Sequence, residues 1–100
     1  MSNQVKAIAT AQGVGSSAAV ICRATPFVEG DSALAIIQPA AGNDRTWTLE
    51  KSEDDGASWV TTGITGNNAV AVFTEVQIGD QMRLTVAGGT AGTVTAMIVA

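Results

Sequence analysis

Four carboxylates lie close together near the middle of this 100-residue chain, and they are the residues most suited to chemistry. They are Glu50, Glu53, Asp54 and Asp55. Carboxylates grouped on one loop can bind Ca²⁺, but these lack the terminal bidentate glutamate of the helix–loop–helix calcium site. A carboxylate pair can also cleave a glycosidic bond, but that reaction needs a cleft, which a small domain with two Trp and two Phe can hardly line. We therefore favour a solvated hairpin tip and assign no metal, cofactor or catalytic residue.

Nucleophilic catalysis has few candidate residues in this sequence. The chain contains no histidine, which removes the Ser–His and Cys–His arrangements and the most common zinc ligand. The single cysteine, Cys22, has apolar neighbours, and we interpret it as a buried, unreactive thiol. A single cysteine allows no intrachain disulfide, so nothing indicates an oxidising compartment. The sequence predicts a protein that is not an enzyme.

The acidic cluster belongs to residues 52–59, which have the pattern Ser-x-Asp-x-Gly-x-Ser-Trp. This segment lies between two β-patterned runs and predicts a hairpin, because glycine supplies a positive φ angle and aspartate bonds its own turn. The residues assigned to this structural hairpin are Ser52, Asp54, Gly56, Ser58 and Trp59. We expect Trp59 to bury its ring beneath the turn, with Trp47 as a candidate neighbour across the hairpin. A site for sugar or aromatic stacking is the alternative.

Alternation of apolar and polar residues with period two extends through most of the chain and predicts strands. The alternating runs cover residues 5–11, 18–24, 47–51, 59–63, 82–86 and 93–98. In the first run, Val5, Ala7, Ala9 and Ala11 share one face. Residues 33–38 are more uniformly apolar, so we expect them to be buried on both faces. With about eight strands and turns at near-regular spacing, residues 1–100 are predicted to form one antiparallel β-sandwich of jelly-roll or immunoglobulin-like type.

The charge content favours protein partners over nucleic acid and membranes. The net charge is −4 and the five cations are scattered, whereas phosphate binding gathers several cations on one face. Only 14% of the residues are charged, against roughly 25% in a typical soluble domain, so the surface is weakly protected against association. A compact neutral monomer is the alternative. We find no apolar stretch of ~18 residues and no signal-peptide pattern, and we expect synthesis in a cytoplasm.

The two ends of the sequence are candidate interface strands. Residues 96–100 are apolar throughout, and exposed terminal strands are usually covered. We therefore expect this end to pack inside the sandwich or against another subunit. Residues 1–11 are either the first strand or an arm that adds a strand to a neighbour. The candidate interface residues are Val5, Ala7, Ile8, Met97, Ile98 and Val99.

Residues 47–99 resemble small β-domains of phage virions. The resemblance is carried by the Ser-x-Asp-x-Gly-x-Ser-Trp box, the strand 82–86, the Gly-Thr turn 89–92 and the strand 93–96. The box alone also resembles the Asp-box of sialidase propellers. Those enzymes carry several boxes and an arginine cluster, whereas this chain has one box and no arginine cluster, and this departure from their pattern argues against a hydrolase.

The virion resemblance implies a structural role. The expected protein is a capsid decoration, or cement, protein at the virion surface. Its expected partners are the major capsid protein and copies of itself, as a dimer or trimer. A neck or tail component is one alternative, and a carbohydrate-binding β-sandwich module is the other.

Overall fold

The computed structural model describes residues 5–21, 32–75 and 79–99. In these ranges the chain forms short and medium-length β-strands. They are β1 Val5–Gln12, β2 Gly15–Ser16, β3 Val20–Ile21, β4 Ser32–Pro39, β5 Thr46–Ser52, β6 Val60–Gly66, β7 Val70–Glu75, β8 Gln81–Ala87 and β9 Val94–Val99. None of the described segments is a helix long and apolar enough to cross a membrane. Cys22 lies outside the described residues.

The strands form two antiparallel sheets that pack face to face. The first sheet has the order β1-β9-β4-β7, and the second has the order β2-β8-β5-β6. β3 also pairs with β8, so β2 and β3 together act as one interrupted edge strand. Counted in this way, the described chain has eight strands in two four-stranded sheets. The predicted all-β sandwich is confirmed.

The strand pairs are nested around the middle of the chain. The hairpin β5–β6 is innermost, followed outward by β4–β7, by β2 and β3 with β8, and by β1–β9. Nested antiparallel pairs folded into two sheets form a jelly roll, which decides between the two predicted sandwich types. The segment after β8, which contains the Gly-Thr turn 89–92, carries the chain from the second sheet to the first.

The first strand belongs to the sandwich of its own chain. β1 pairs with β9 from Val5 opposite Val99 to Gln12 opposite Val94. Of the two alternatives for this end, residues 5–11 therefore form a first strand and not an arm that adds a strand to a neighbour. Residues 1–4 lie outside the described residues.

The core lies between the two sheets and is formed mainly by aliphatic side chains around one tryptophan. Its members are Ile8, Ala9, Ala35, Ile37, Trp47, Leu49, Met82, Leu84, Val86, Val94, Ala96 and Ile98. The alternation predicted for residues 82–86 and 94–98 is confirmed, because every second residue of β8 and β9 is buried here. These two strands belong to different sheets and supply half of the core residues.

Two predicted burial patterns are wrong, each for a physical reason. In β1, Ile8 and Ala9 are both buried and Ala7 is exposed, because the register of β1 against β9 shifts between Ala7 and Ala9. In β4, the core contains Ala35 and Ile37, whereas Leu34 and Ile36 are half-buried on the opposite side. β4 is therefore covered by the second sheet on one face, not on both.

The core assignment predicts unequal effects for two apolar residues of the same hairpin. Leu49 is 0% exposed and Val60 is 51% exposed. We expect Leu49→Ala to lower the free energy of unfolding by about 2–5 kcal/mol, since it removes buried area and leaves a cavity. The control Val60→Ala should change it by no more than about 0.5 kcal/mol. Urea unfolding followed by circular dichroism measures both, and equal losses would contradict this core.

Candidate functional site

The loop between β5 and β6 is closed by the side chains of Ser52 and Asp54. The buried Ser52 hydroxyl donates to Asp54 Oδ1 at 2.7 Å and accepts the Gly56 N–H at 2.8 Å. The Asp54 carboxylate accepts the Ser58 N–H at 2.8 Å and also the Ser58 hydroxyl. The two side chains thus connect the start, middle and end of the turn, which we call the box loop (residues 52–59).

Two consecutive residues at the tip of the box loop have left-handed backbone conformations. The φ angle is 63° at Asp55 and 88° at Gly56. Aspartate tolerates this region and glycine has no Cβ to penalise it, which explains the order Asp-Gly at the tip. The loop is also tied to the start of β8, because Gln81 Nε2 donates to Asp55 Oδ1 at 2.9 Å.

The bonding pattern makes Asp54 a fixed acceptor. Hydrogen bonds from the hydroxyls of Ser58 and Ser52, together with the Ser58 N–H, lower the pKa of Asp54 from 3.8 to about 2. Such a carboxylate is ionised at neutral pH and its oxygens are committed to its own loop. Among the described residues, no group of three or more His, Cys, Asp or Glu side chains could hold a metal ion.

Trp59 does not lie beside Trp47. Trp47 is fully buried in the core, and its indole N–H donates to the Asn68 carbonyl at 3.1 Å. Trp59 is half-buried, and the guanidinium carbon of Arg83 lies 4.3 Å from the centre of its ring. Arg83 lies between Met82 and Leu84, both buried, so its side chain leaves the sheet on the solvent side. The two tryptophans therefore occupy opposite faces of the second sheet.

The outer face of the second sheet is polar and internally hydrogen-bonded. Arg83 pairs with Glu50 at 2.9 Å, and the Thr85 hydroxyl donates to the same carboxylate. Partial burial raises the pKa of Glu50, but the bonds from Thr85 and Arg83 and the charge of Arg83 outweigh it and lower the pKa overall. Beside this group, the Ser16–Thr85 and Thr48–Thr65 hydroxyl pairs are 2.8 and 3.0 Å apart.

The outer face of the first sheet is apolar in its middle rows, whereas Gln38 opposite Thr95 and, at the other end, Glu75 are polar. Opposite the buried positions of each strand, the register aligns Ala7, Met97, Ile36 and Ala71 in one row across all four strands. It aligns Val99, Leu34 and Phe73 in the next row. We call these seven residues the apolar face. Phe73 is 60% exposed. The charged side chains of Glu75, at the end of β7, and of Lys51 line the same groove as Phe73.

The predicted interface residues divide between this face and the core. Ala7, Met97 and Val99 lie on the apolar face. Ile8 and Ile98 are 4% and 0% exposed and pack inside the sandwich of their own chain. The prediction that these two contact a partner is corrected, since β1 and β9 alternate and only every second side chain faces outward. The side chain of Val5 lies outside the described residues.

A second polar clamp lies at the other end of β5, and local sequence patterns do not reveal it. The Asp44 carboxylate accepts the N–H groups of Thr90 and Ala91 at 2.8 and 2.9 Å, and the Thr90 hydroxyl at 2.7 Å. Arg45 donates to the carbonyls of Gly92 and Gly88 at 3.1 and 2.9 Å. Residues 44–45 thus bind a loop more than 40 residues later in the chain, a contact that depends on the sheet order.

The Asp44 clamp resembles the box loop electrostatically. The Ala91 N–H, the Thr90 hydroxyl and the Thr90 N–H lower the pKa of Asp44 from 3.8 to about 2. Both aspartates are therefore acceptors for backbone groups that would otherwise lack partners at loop ends. Their role is to fix loops at the two ends of β5.

A groove of about 310 Å³ runs between the edge strands β6 and β7, one from each sheet. Residues Thr61, Thr62 and Ile64 form one side, and residues 73–75 form the other. Lys51 spans the groove from β5, and its Nζ donates to the Glu75 carbonyl at 3.3 Å. The groove is open to solvent, and its lining is mostly polar, with threonine hydroxyls and Lys51 beside Ile64 and one exposed aromatic ring.

The two clamped aspartates predict a specific dependence of stability on pH. Their pKa values are lowered on folding, so the unfolded chain binds more protons than the folded protein between about pH 4 and pH 2. The stability that they contribute is fully present above about pH 4 and is lost as the pH falls through about 2.

We expect Asp44→Asn and Asp54→Asn each to be less stable than wild type at neutral pH. Each should also lose less stability between about pH 4 and pH 2, and the double variant least of all. Urea midpoints measured across this range provide the test. Glu53→Gln removes a carboxylate from the same loop and controls for net charge. An unchanged acid dependence in both aspartate variants would rule out the proposed clamps.

Comparison of the chain with protein-family models, curated proteins and solved structures found no match. The features of the molecule that bear on its function are therefore the two outer faces, the loops and the edges of the sandwich.

Proposed function

We propose that this protein is a non-enzymatic structural protein of a phage virion, a capsid decoration protein that binds the major capsid protein. The observation that carries the proposal is the difference between the two outer faces. The second sheet covers itself with hydrogen-bonded polar side chains, whereas the first sheet presents the apolar face. The resemblance of residues 47–99 to virion β-domains supports the same role.

The apolar face is suited to binding without chemistry. Leu34, Ile36, Met97 and Val99 are half-buried and lie opposite one another on neighbouring strands, so they form a continuous surface and not isolated side chains. Burying such a surface against a partner is favourable because it removes apolar area from water. Contiguous apolar surface on a soluble domain commonly marks a protein interface. A capsid lattice offers a repeating protein surface that this face can cover.

Carbohydrate binding receives less support from the described aromatic side chains. Trp47 is buried and one face of Trp59 is covered by Arg83, which leaves Phe73 as the largely exposed aromatic residue of the described chain. Sugar-binding sites usually offer more than one aromatic ring with hydrogen-bonding groups around them. Phe73 has threonine hydroxyls near it, but no second aromatic ring of the described chain lines its groove. Phe27 lies outside the described residues.

The number of copies per particle tests the proposed location. We expect hundreds of copies in a virion, in a fixed ratio to the major capsid protein, when purified particles are quantified by mass spectrometry. Six or twelve copies would instead indicate a neck or tail component, and absence from particles would contradict a virion role.

Matched variants test which face binds the capsid. Ile36 and Thr48 are both half-buried on outer faces of central strands, one in each sheet. We expect Ile36→Lys to reduce capsid occupancy at least tenfold, because a lysine must be desolvated in an apolar contact. Thr48→Lys, the control, should leave occupancy unchanged. The urea unfolding midpoints of both variants are first compared with that of the wild type, to show that both variants fold. Equal occupancy of the two variants would contradict binding through the apolar face.

A further inference from the structure

The sandwich has four edge strands, and three of them are interrupted in ways that hinder pairing with another strand. A regular edge presents a row of N–H and C=O groups to any extended chain, so proteins commonly disrupt it. β1 shows two register shifts against β9. The edge beside β8 consists of two separate two-residue strands, β2 and β3.

The third interrupted edge is β6. Its register against β5 shifts opposite Leu49, where Gly63 has a φ angle of 87°. The N–H groups of Gly63 and Ile64 are bonded to the hydroxyls of Thr61 and Thr62, at 3.0 and 3.2 Å. This bulge bends the strand, and two of its backbone donors have partners within the strand itself. An incoming strand would meet an irregular edge.

β7 differs from these three edges. It pairs with β4 over six consecutive residues, from Val70 to Glu75, without a register shift. Within the described chain, no strand pairs with its other side. Its sequence, Val-Ala-Val-Phe-Thr-Glu, is apolar up to its last two residues and contains no proline. The groove beside β6 borders residues 73–75 of this edge, where Lys51 bonds the Glu75 carbonyl at the end of the strand.

We infer that two copies of this chain pair antiparallel through β7, which joins their first sheets into one sheet of eight strands. A two-fold axis perpendicular to the sheet keeps core-facing side chains on the core side. Residues directly opposite each other must therefore both be even-numbered or both be odd-numbered. The axis therefore passes beside one residue that faces its own copy. Val72 and Phe73 are the two middle residues of β7, so an axis beside either of them lets most of the strand pair.

Charge and side-chain size select the axis beside Val72. In this register Val72 faces its own copy, and Phe73 of each chain lies over the small Ala71 of the other, on the outer face. Glu75 then lies opposite Ala69, an exposed residue that precedes β7, so its carboxylate stays at the solvated end of the ladder. The register centred on Phe73 would instead place each Glu75 opposite Ala71, within an apolar row. Cross-strand pairs of large and small apolar residues stabilise a sheet, whereas a carboxylate enclosed by apolar side chains does not.

The dimer is tested by sedimentation equilibrium of the wild-type protein and two variants. We expect a monomer–dimer equilibrium for the wild type. Phe73→Glu should raise the dissociation constant at least tenfold, because it removes the ring that covers Ala71 and adds a charge to the apolar row. Val60→Glu adds the same charge to an exposed valine of β6 and should leave the constant unchanged. A wild type that stays monomeric up to its solubility limit, or a Phe73→Glu protein that dimerises like wild type, would overturn the inference.

Cross-linking tests the register. In a Cys22→Ser background, Val72→Cys places two thiols opposite each other at the axis, within reach of a disulfide. We expect rapid formation of a covalent dimer on mild oxidation and none for the control Val60→Cys. Cross-linking by Phe73→Cys but not by Val72→Cys would overturn the register beside Val72.

The pairing does not depend on the proposed capsid role. Met97 lies on the apolar face two strands away from the β7 edge, so Met97→Lys should leave the dimer intact while it impairs capsid binding. Failure of one proposal is therefore distinguishable from failure of the other.

Discussion

The nested pairing of the strands is the constraint on which the rest of the structure depends. The β5–β6 hairpin is the pair closed by a local turn, and each pair outside it joins segments that lie farther apart in the chain. A slip of one residue between β5 and β6 would turn Trp47 and Leu49 away from the core, because side chains alternate between faces. The box loop at one end of β5 and the Asp44 clamp at the other oppose such a slip. Both use a carboxylate to accept hydrogen bonds from backbone N–H groups. These bonds fix the loop geometry without using apolar side chains, of which a small domain has few.

The same alternation produces two outer faces with different properties. Every strand must place apolar residues toward the core, but the residues between them are free to differ. On the second sheet these positions hold Glu50, Arg83 and several hydroxyls, which satisfy one another and need no partner. On the first sheet the middle rows hold aliphatic residues and Phe73, which expose apolar area that hydrogen bonds cannot cover, and polar residues stand only at the ends. The fold does not require this difference between the two outer faces. The difference therefore gives information about function that the fold alone does not give.

Sequence patterns predict this protein well where structure is local. The alternation of β8 and β9 and the sandwich class follow from period-two spacing, because one buried face imposes it. Predictions fail where distant segments decide the outcome. The burial of both Ile8 and Ala9 arises from a register shift against β9, and the exposed side of β4 depends on which layer covers it. The position of Trp59 depends on Arg83 in another strand, and the Asp44 clamp on a loop brought near by the sheet order. No local pattern contains these contacts.

The edges and the apolar face lead to a single picture of assembly. The interruptions in β1, in the β2–β3 edge and in β6 reduce regular hydrogen bonding between strands. Proteins keep such features where they prevent unwanted pairing of edge strands. A regular β7 on the same molecule is then an exception that leaves one direction open for growth of the sheet. Phe73 belongs both to this edge and to the apolar face. Pairing through β7 would therefore join two apolar faces into one surface, with the phenylalanines covering the seam. A dimer of this kind would present twice the apolar area of a monomer to a partner, and its two-fold axis suits a partner surface that also repeats.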